Sequence, residues 1–482
     1  MLPKSNIEPA SPVIPLINIG ACLDIPTGIF VKGEKGEHLL LGGLGPVTGI
    51  TGKGNTFKST AINFMCMSAL DRVMSTAESH VEDYDTELNK DTNRVENLAG
   101  HFENLKGRRI TEDGTWNLTN PTKYYANKWF EELKDYLKAK FEMKEAWVEL
   151  PFIGRDGKRL RMLLPTFSMV DSFSRFETED IVKIQDENEL GDSGGNTMHM
   201  RQGLSKMRFL MEAPILSNKM FNYLLLSAHL GKETAIAAGP YAPQPEKKLQ
   251  HMKMGDKIKG VTDQFFFLTT NFWQTISSAP YINQTTKGPE YPKDEHDVAN
   301  DSGEIDLVTV NLKLLRGKFG PSGTVVELAA SQRDGVLPSL TEFLLIKNAD
   351  RFGLDGNVQN FFLTMYPDAK LSRTVIRRKI DADPKLRRAL NITSELCQMR
   401  QFYRTMKPEL LEPATVLKGI RDNGYDWDFI LSQTRGWWTI NNDAHPLYFL
   451  STMDIALMSV GEYHPYWLED DKKTIKKEYL KT

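Results

Sequence analysis

Residues 52–60 combine glycines, a lysine and hydroxyl side chains at a spacing that could bind phosphate. Gly52, Lys58 and Ser59 fit the pattern G-x-x-x-x-G-K-[ST], with Phe57 in place of the second glycine. In such a loop, backbone N–H groups surround an anion, the ammonium neutralises terminal phosphates and the hydroxyl ligates Mg²⁺. The alternative is a glycine-rich turn that carries a lysine by chance. The predicted ATP-binding residues are Gly52, Lys53, Gly54, Asn55, Thr56, Phe57, Lys58, Ser59 and Thr60.

Phe57 departs from that pattern because a glycine usually precedes the lysine. We expect Phe57 to be tolerated with an ordinary helical φ, since its N–H then remains available to an anion. The apolar run before Pro46 and the helical pattern over residues 61–70 predict a strand, then the loop, then a helix. That order is the one in which a phosphate-binding loop works.

Acidic residues follow two later segments that read as strands. Residues 82–87 carry several carboxylates, and the apolar run 167–170 ends in Asp171. Ligands of open α/β sheets lie at the carboxyl ends of the strands. We therefore predict that Glu87 polarises the water that attacks the γ-phosphate, and that Asp171 and Ser59 hold Mg²⁺. A solvated acidic turn is the alternative for Glu87, with Asp85 as the next carboxylate to consider.

A histidine ends the next apolar run. Residues 221–228 read as a strand, and His229 follows at the edge where the ligand is expected. A lone histidine is often only structural, but at this strand end a role in sensing the γ-phosphate is equally reasonable.

Two polar segments could contact a phosphodiester backbone. Residues 185–196 form a predicted mobile loop before a helix whose exposed side should carry Arg201, Lys206 and Arg208. Residues 230–260 are broken by glycine and proline and are rich in lysine, which suits a segment that orders on nucleic acid. A solvated linker is the alternative. The predicted DNA-binding residues are Arg201, Lys232, Lys247, Lys248, Lys253 and Lys257.

Composition limits the class of protein. The 482 residues carry a formal net charge of −3, so any surface for nucleic acid must be local. The three cysteines lie far apart, which favours a reduced compartment and argues against structural zinc. We find no apolar run of the ~18 residues that a membrane span needs and no leader pattern. The expectation is a cytoplasmic protein without a membrane partner, in a host cytoplasm if the source is a phage.

The patterns divide the chain into three predicted parts. Residues 1–20 form a proline-rich arm that could contact a neighbouring subunit, and residues 21–350 form an α/β core. Within the core, 88–165 and 277–305 are expansions, the first with a helix over 124–144 and a hairpin around 154–157. Residues 261–272 are predicted to be a buried strand. Residues 351–482 form a small, mainly helical domain whose segment 370–390 is rich in basic residues.

The order of these motifs resembles the RecA recombinase core over roughly residues 20–350. The phosphate loop, the Tyr84–Glu87 strand end, Val170–Ser172, the glycine-bearing segment 191–193, the strand ending in His229 and the Arg316–Lys318 hairpin follow in that order. The Phe57-Lys58-Ser59 form is similar to that of the phage UvsX-type recombinases. The resemblance implies a RecA-like P-loop NTPase core, a mostly parallel twisted sheet between helices.

The same resemblance implies an ATP- and Mg²⁺-dependent filament on single- and double-stranded DNA, with single-strand-binding and loader proteins as further partners. Glu87 would activate water, and Arg316 and Lys318 would reach the ATP of the adjacent subunit. The segments 186–197 and 230–260 would face DNA. His229 departs from the glutamine that is usual at its position, Phe57 departs from the bacterial pattern, and the expansions and the C-terminal domain have no counterpart in the motif set.

Three functions therefore stand side by side. The first is a DNA recombinase that pairs homologous strands in recombination and repair. The second is a ring-forming replicative DNA helicase of the same fold, which the 191–193 segment and the 316–318 hairpin fit less well. The third is an ATP-binding structural protein without catalysis.

Overall fold

The structure is a computed structural model that describes residues 15–154, 156–187, 195–233, 247–297, 305–357, 359–403 and 406–481. The strands in chain order are β1 Phe30–Lys32, β2 His38–Leu40, β3 Val47–Gly52, β4 Val81–Asp85, β5 Trp116–Thr119, β6 Trp147–Ile153, β7 Arg159–Leu163, β8 Thr166–Asp171, β9 Asn222–Lys232, β10 Asp256–Ile258, β11 Asn271–Pro280, β12 Leu307–Gly317, β13 Val325–Ser331, β14 Gly335–Val336, β15 Leu354–Asn357, β16 Asn360–Leu363, β17 Tyr366–Ser372, β18 Thr434–Arg435 and β19 Tyr448–Phe449.

The helices in chain order are α1 Lys58–Met74, α2 Thr92–Ala99, α3 Ala126–Glu142, α4 Glu179–Glu187, α5 Gly195–Met220, α6 Gln264–Leu268, α7 Pro338–Asn348, α8 Ile376–Ala382, α9 Pro384–Phe402, α10 Pro413–Asp422, α11 Trp427–Gln433 and α12 Thr452–Ser459. The protein is thus α/β, with a large mixed sheet between helices. Among the described residues, no helix combines the length and the apolar character needed to cross a bilayer.

The main sheet has ten strands within the described residues. Nine follow the order β14-β13-β12-β11-β3-β9-β8-β4-β5, and β10 pairs with the end of β9. The strands from β5 to β11 in this order run parallel, whereas β12, β13, β14 and β10 pair antiparallel with their neighbours. The parallel half places the carboxyl ends of β4, β8, β9 and β3 along one edge, which is where an α/β sheet binds ligands.

Alternate side chains of the parallel strands serve two hydrophobic cores. Tyr223 and Leu225 of β9 pack with α1 on one face, and Leu224 and Leu226 pack with α3, α5 and α6 on the other. Strands buried on both faces are continuously apolar, as these are. This double coverage fixes the sheet, and with it the positions of the strand ends.

Two predicted elements of the first expansion are confirmed. The helix over 124–144 is α3, and the hairpin around 154–157 is β6–β7. The strand predicted over 261–272 is wrong: residues 264–268 form α6, and β11 begins only at Asn271. A short apolar run cannot by itself distinguish a buried strand from a buried helical turn. Phe265 and Phe266 are buried here, whereas Phe267 is exposed.

The chain after residue 350 contains α8–α12 and the three-stranded sheet β15–β17. The basic segment 370–390 is not one helix, because β17 continues to Ser372 and Pro384 starts a new helix capped by Asp383. Its hydrophobic cluster continues into the core through residues such as Ile25 and Leu307. The domain boundary at residue 350 remains a prediction; the apolar packing runs across it.

Candidate functional site at the carboxyl edge of the sheet

Residues 52–60, the predicted phosphate loop, connect β3 to α1, so the predicted order of strand, loop and helix is confirmed. Gly52 ends β3 where only glycine fits, because a Cβ there would lie 1.8 Å from Thr275 Oγ1. The Thr56 hydroxyl lies 2.7 Å from the Thr275 hydroxyl and donates to the Lys53 carbonyl at 2.8 Å. These contacts fix the base of the loop against β11. Lys53, Gly54 and Asn55 at its tip are exposed.

Phe57 does not have the ordinary helical φ that the sequence suggested. Its φ is +60° and its ψ +29°, which is left-handed, and Asn55 also has a positive φ. The expectation was wrong because the turn from β3 into α1 needs a left-handed residue whichever side chain is present. Left-handed residues among right-handed ones turn successive N–H groups towards a common point, the geometry of an anion nest. Phe57 therefore retains the backbone of a glycine at the cost of strain.

Lys58 begins α1 and bends back over the loop. Its ammonium donates to the Lys53 carbonyl at 2.9 Å. Burial lowers the pKa of Lys58, and the carboxylates of Asp171 and Glu87 oppose that shift. The lysine thus lies within the electrostatic field of both predicted acidic residues. Ser59 is half-buried beside it, and Thr60 is buried with its hydroxyl accepting a hydrogen bond from Arg94 at 3.2 Å.

Sheet register brings His229 and Glu87 to the same edge. His229 is the direct neighbour of Gly52 across the β3–β9 pair, and Glu87 lies two residues beyond β4. His229 Nε2 and Glu87 Oε1 are 2.5 Å apart. Burial raises the pKa of Glu87, but the hydrogen bond to His229 and the nearby Ser172 and Arg175 outweigh it and leave the pKa below the ordinary value. Glu87 is thus held as a carboxylate.

Asp171 and Asp85 have different surroundings. Asp171 ends β8 opposite Asp85, is buried, and accepts a hydrogen bond from Ser227 of β9. Asp85 accepts three backbone N–H groups, from Glu87, Asn89 and Lys90 at 2.8–2.9 Å, so both its oxygens are used to form the turn after β4. This leaves Glu87 as the carboxylate of that turn that reaches towards β9.

A buried ion pair behind the site was not predicted. Lys90 donates to both oxygens of Asp83 at 2.8 and 3.0 Å, and Trp116 Nε1 donates to the same carboxylate at 3.0 Å. Burial lowers the pKa of Lys90, but Asp83 and Asp171 outweigh burial and raise it. The pair holds β4, β5 and the turn that carries Glu87 together. Asp83 and Lys90 are seven residues apart, across the turn after β4, and no sequence pattern at that spacing predicts an ion pair.

The Arg316–Lys318 hairpin lies at the edge of the sheet where β3 begins, opposite the edge that carries the phosphate loop. Gly317 pairs with Asn271, which in turn pairs with Thr48, four residues before Gly52 on β3. At about 3.3 Å per residue, that separation along the strands is about 13 Å. Arg316 donates to the carbonyls of Phe266 and Phe267 in α6 and of Thr269 just after it. Lys318 is exposed.

The predicted DNA-binding residues lie near one another only in part. Lys232 ends β9 and forms an ion pair with Asp256, and Lys248 lies near Glu233 and Asp263. Arg201 is exposed on α5. Lys206, predicted to be exposed, is instead fully buried, because two backbone carbonyls accept its ammonium. Residues 188–194 and 234–246 of the two predicted loops lie outside the described residues. Three further lysines are exposed and pair with no described acidic residue: Lys247, Lys253 and Lys257.

The basic segment 370–390 is mostly used inside the protein. Arg373 donates to the carbonyl of Pro289, Arg387 donates to the last carbonyls of α8, and Lys385 pairs with Asp428. Arg377 and Arg388 are buried. The high density of positive charge therefore stabilises the C-terminal region and its contact with residues 281–297, and it offers little free cationic surface.

No protein-family model matches the sequence, and no curated protein matches it at a significant level. The geometry of the sheet edge is therefore the main basis for a function.

Proposed function

We propose that the chain is a RecA-class ATPase that hydrolyses ATP on DNA and acts as a recombinase. The observation that carries the proposal is the meeting of the phosphate loop, Glu87, Asp171 and His229 at one sheet edge. The strand order supports it as well, because β9 lies between the phosphate-loop strand β3 and the acidic strand β8. His229 on β9 therefore lies between Gly52, in the predicted phosphate loop, and Asp171, the predicted Mg²⁺ ligand.

The residues fit ATP and Mg²⁺. Gly52 has no room for a side chain beside Thr275, and Asn55 and Phe57 have the positive φ values that occur in backbone nests for anions. No group of three or more His, Cys, Asp or Glu among the described residues is arranged as a metal cage. Mg²⁺ commonly needs only one or two protein oxygens beside substrate phosphates, which Ser59 and Asp171 can supply. Bound Mg²⁺ would neutralise charge that develops on the phosphates.

The roles of the chain's own groups follow from their contacts. Lys58 exchanges its hydrogen bond to Lys53 for a terminal phosphate oxygen, a gain because the acceptor is then charged. Glu87, an anion, accepts a proton from the attacking water or orients it. His229 now engages Glu87, so a γ-phosphate that competes for the imidazole would release the carboxylate for that task. Lys318 serves the phosphate site of an adjacent copy, since its own is out of reach.

ATP hydrolysis with and without single-stranded DNA tests the ATPase. We expect hydrolysis to rise with DNA, Lys58→Ala to abolish it, and Glu87→Gln to lower the rate by about 10²–10⁴ while ATP still binds. Asp85→Asn is an unsuitable control because it breaks the turn. Glu82→Gln is the matched control, because Glu82 is a half-buried carboxylate at the amino-terminal end of β4, away from the carboxyl edge. Normal hydrolysis by the Glu87 variant would refute its assigned role.

Electron microscopy with DNA and a slowly hydrolysed ATP analogue then separates the three functions. Extended filaments support the recombinase, and closed rings identify the helicase. Neither assembly, together with no hydrolysis, identifies a non-catalytic ATP-binding protein. A strand-exchange assay with homologous and heterologous duplexes completes the test, because only the homologous duplex should exchange.

A further inference from the structure

Lys206 is buried in the middle of a junction between four segments. It lies on α5 with 1% of its surface exposed, and its ammonium donates to the carbonyls of Ser174 at 2.7 Å and Gly260 at 2.9 Å. It forms no ion pair with a described carboxylate. Burial lowers the pKa of Lys206 to about 8, against the attraction of Glu177. The ammonium also lies over the Phe173 ring, 6.0 Å from its centroid, but both of its hydrogen bonds go to backbone carbonyls. A buried cation bonded in this way fixes the position of those carbonyls.

The two carbonyls belong to segments that hold the backbone of His229. The Ser174 hydroxyl accepts the His229 N–H at 2.9 Å. The His229 carbonyl accepts the Lys259 N–H at 2.8 Å, one residue before Gly260. The hydrogen bonds therefore close a ring that runs from Lys206 through Ser174, His229 and Lys259–Gly260 back to Lys206. Both peptide groups of His229 are held within it.

Gly260 makes the ring compact. Its φ is +67°, and a Cβ at this position would lie 2.9 Å from the Ser174 carbonyl oxygen and 3.4 Å from Lys206 Nζ. The segment that returns from residues 247–258 thus packs directly against the turn after β8. Arg201 lies little more than one turn before Lys206 on the same helix. The segment 247–260 and α5, which both carry exposed cations, therefore meet at Lys206.

We propose that Lys206 is a positioning residue that couples the cationic segment 247–260 and α5 to His229 and, through it, to Glu87. This inference rests on the proposed ATPase and deepens it by assigning the route by which DNA stimulates hydrolysis. A polyanion that shifts the returning segment moves Gly260 and Lys259, and the ring transmits the shift to the His229 peptide. The imidazole then changes its contact with the Glu87 carboxylate. The phosphate loop is not part of the ring.

Two independent substitutions test the ring. Lys206→Met keeps the length of the side chain but removes the donor, and Gly260→Ala leaves the lysine intact but forces the returning segment from Ser174. Lys219→Met, on the exposed side of the same helix, is the matched control. With an oligothymidylate as the probe, we expect both test variants to lower the ratio of DNA-stimulated to DNA-free hydrolysis at least ten-fold. The KM for ATP should change less than three-fold, and the control should behave as the wild type.

An equal loss of both rates, or an unchanged ratio, would overturn the inference. If the wild type does not hydrolyse ATP, the proposed function fails, and hydrogen–deuterium exchange still decides the ring. In folded Lys206→Met or Gly260→Ala protein, the amide hydrogens of both His229 and Lys259 should exchange at least ten-fold faster than in the wild type. Faster exchange at Lys259 alone, with His229 unchanged, would contradict the coupling. If the Lys206 variant does not fold, the Gly260 variant decides.

Discussion

Phe57 is the residue at which the left-handed backbone of the phosphate loop can be tested most directly. We compare Phe57→Gly with Phe57→Ala, rather than either with the wild type. The phenyl ring is half-buried against the core on the α1 face, and both substitutions remove it. The lost packing therefore cancels in the difference. What remains is the preference of the backbone at φ +60° for glycine over alanine.

A left-handed and a helical backbone at residue 57 predict opposite signs for the difference in stability between the glycine and alanine variants. At a left-handed φ, alanine is less favourable than glycine by about 1–2 kcal/mol. At a helical φ, alanine is more favourable by about 1 kcal/mol. Unfolding entropy is about 2.1 cal/mol/K per residue, so for 482 residues melting as one unit 1 kcal/mol corresponds to about 1 °C. We therefore expect Phe57→Gly to melt about 1–2 °C above Phe57→Ala.

Differential scanning calorimetry without nucleotide measures this difference. The matched control is the pair Lys128→Gly and Lys128→Ala on the exposed side of α3, where the helical backbone should make the alanine variant the more stable one. At residue 57 the glycine variant should therefore melt at the higher temperature, and at residue 128 the alanine variant should. An alanine variant at residue 57 that melts at or above the glycine variant would refute the left-handed conformation.

Three further predictions concern pH, assembly and salt. Burial raises the pKa of Glu342 to about 8, so the folded protein keeps a proton that the unfolded chain releases above about pH 4.5, and stability falls as pH rises through this window. Glu342→Gln should remove this fall and stabilise the protein at pH 8 by on the order of 4 kcal/mol, measured as the difference between the two pH–Tm profiles; parallel profiles would contradict it. For assembly, Lys58→Ala and Lys318→Ala proteins, each inactive alone, should recover ATP hydrolysis when mixed, and no recovery in filaments shown to be mixed would reject action across the interface. For salt, replacing three exposed lysines by glutamine should lower the log–log salt slope of single-stranded DNA binding by about two, and an unchanged slope would place the contact elsewhere. The three are Lys247, Lys253 and Lys257.

The sequence predicted where Glu87, Asp171 and His229 lie in the sheet better than it predicted their contacts. Glu87, Asp171 and His229 follow apolar runs, and parallel strands bring such positions to one edge whatever the loops between them. Local order was therefore enough to predict that they meet. It could not give the hydrogen bond between His229 and Glu87, because that depends on the register of β9 beside β3 and on the turn that Asp85 forms.

Charge was the property that local sequence described least well. Lys206 has the spacing of an exposed helical residue, yet it is buried because Ser174 and Gly260 present carbonyls from elements distant in sequence. The segment 370–390 is rich in basic residues, yet Arg373 donates to the carbonyl of Pro289 in the insertion and Arg387 donates to the end of α8. A cation is exposed or internal according to which backbone acceptors the fold leaves without a donor, and that depends on tertiary contacts.

The two cations of the 316–318 hairpin have different surroundings, and we assign them different roles. Arg316 is held by the carbonyls of Phe266, Phe267 and Thr269, so its guanidinium fixes the end of α6 to β12. The Lys318 side chain makes no such contacts among the described residues, and its partial burial and the neighbouring Arg316 lower its pKa. Its distance from the phosphate loop of its own chain means that, under the proposed function, one copy carries the loop and the next copy carries the cation. Such a head-to-tail contact does not close on itself in a dimer. It produces either a ring or an open helix, and the rotation between copies decides which.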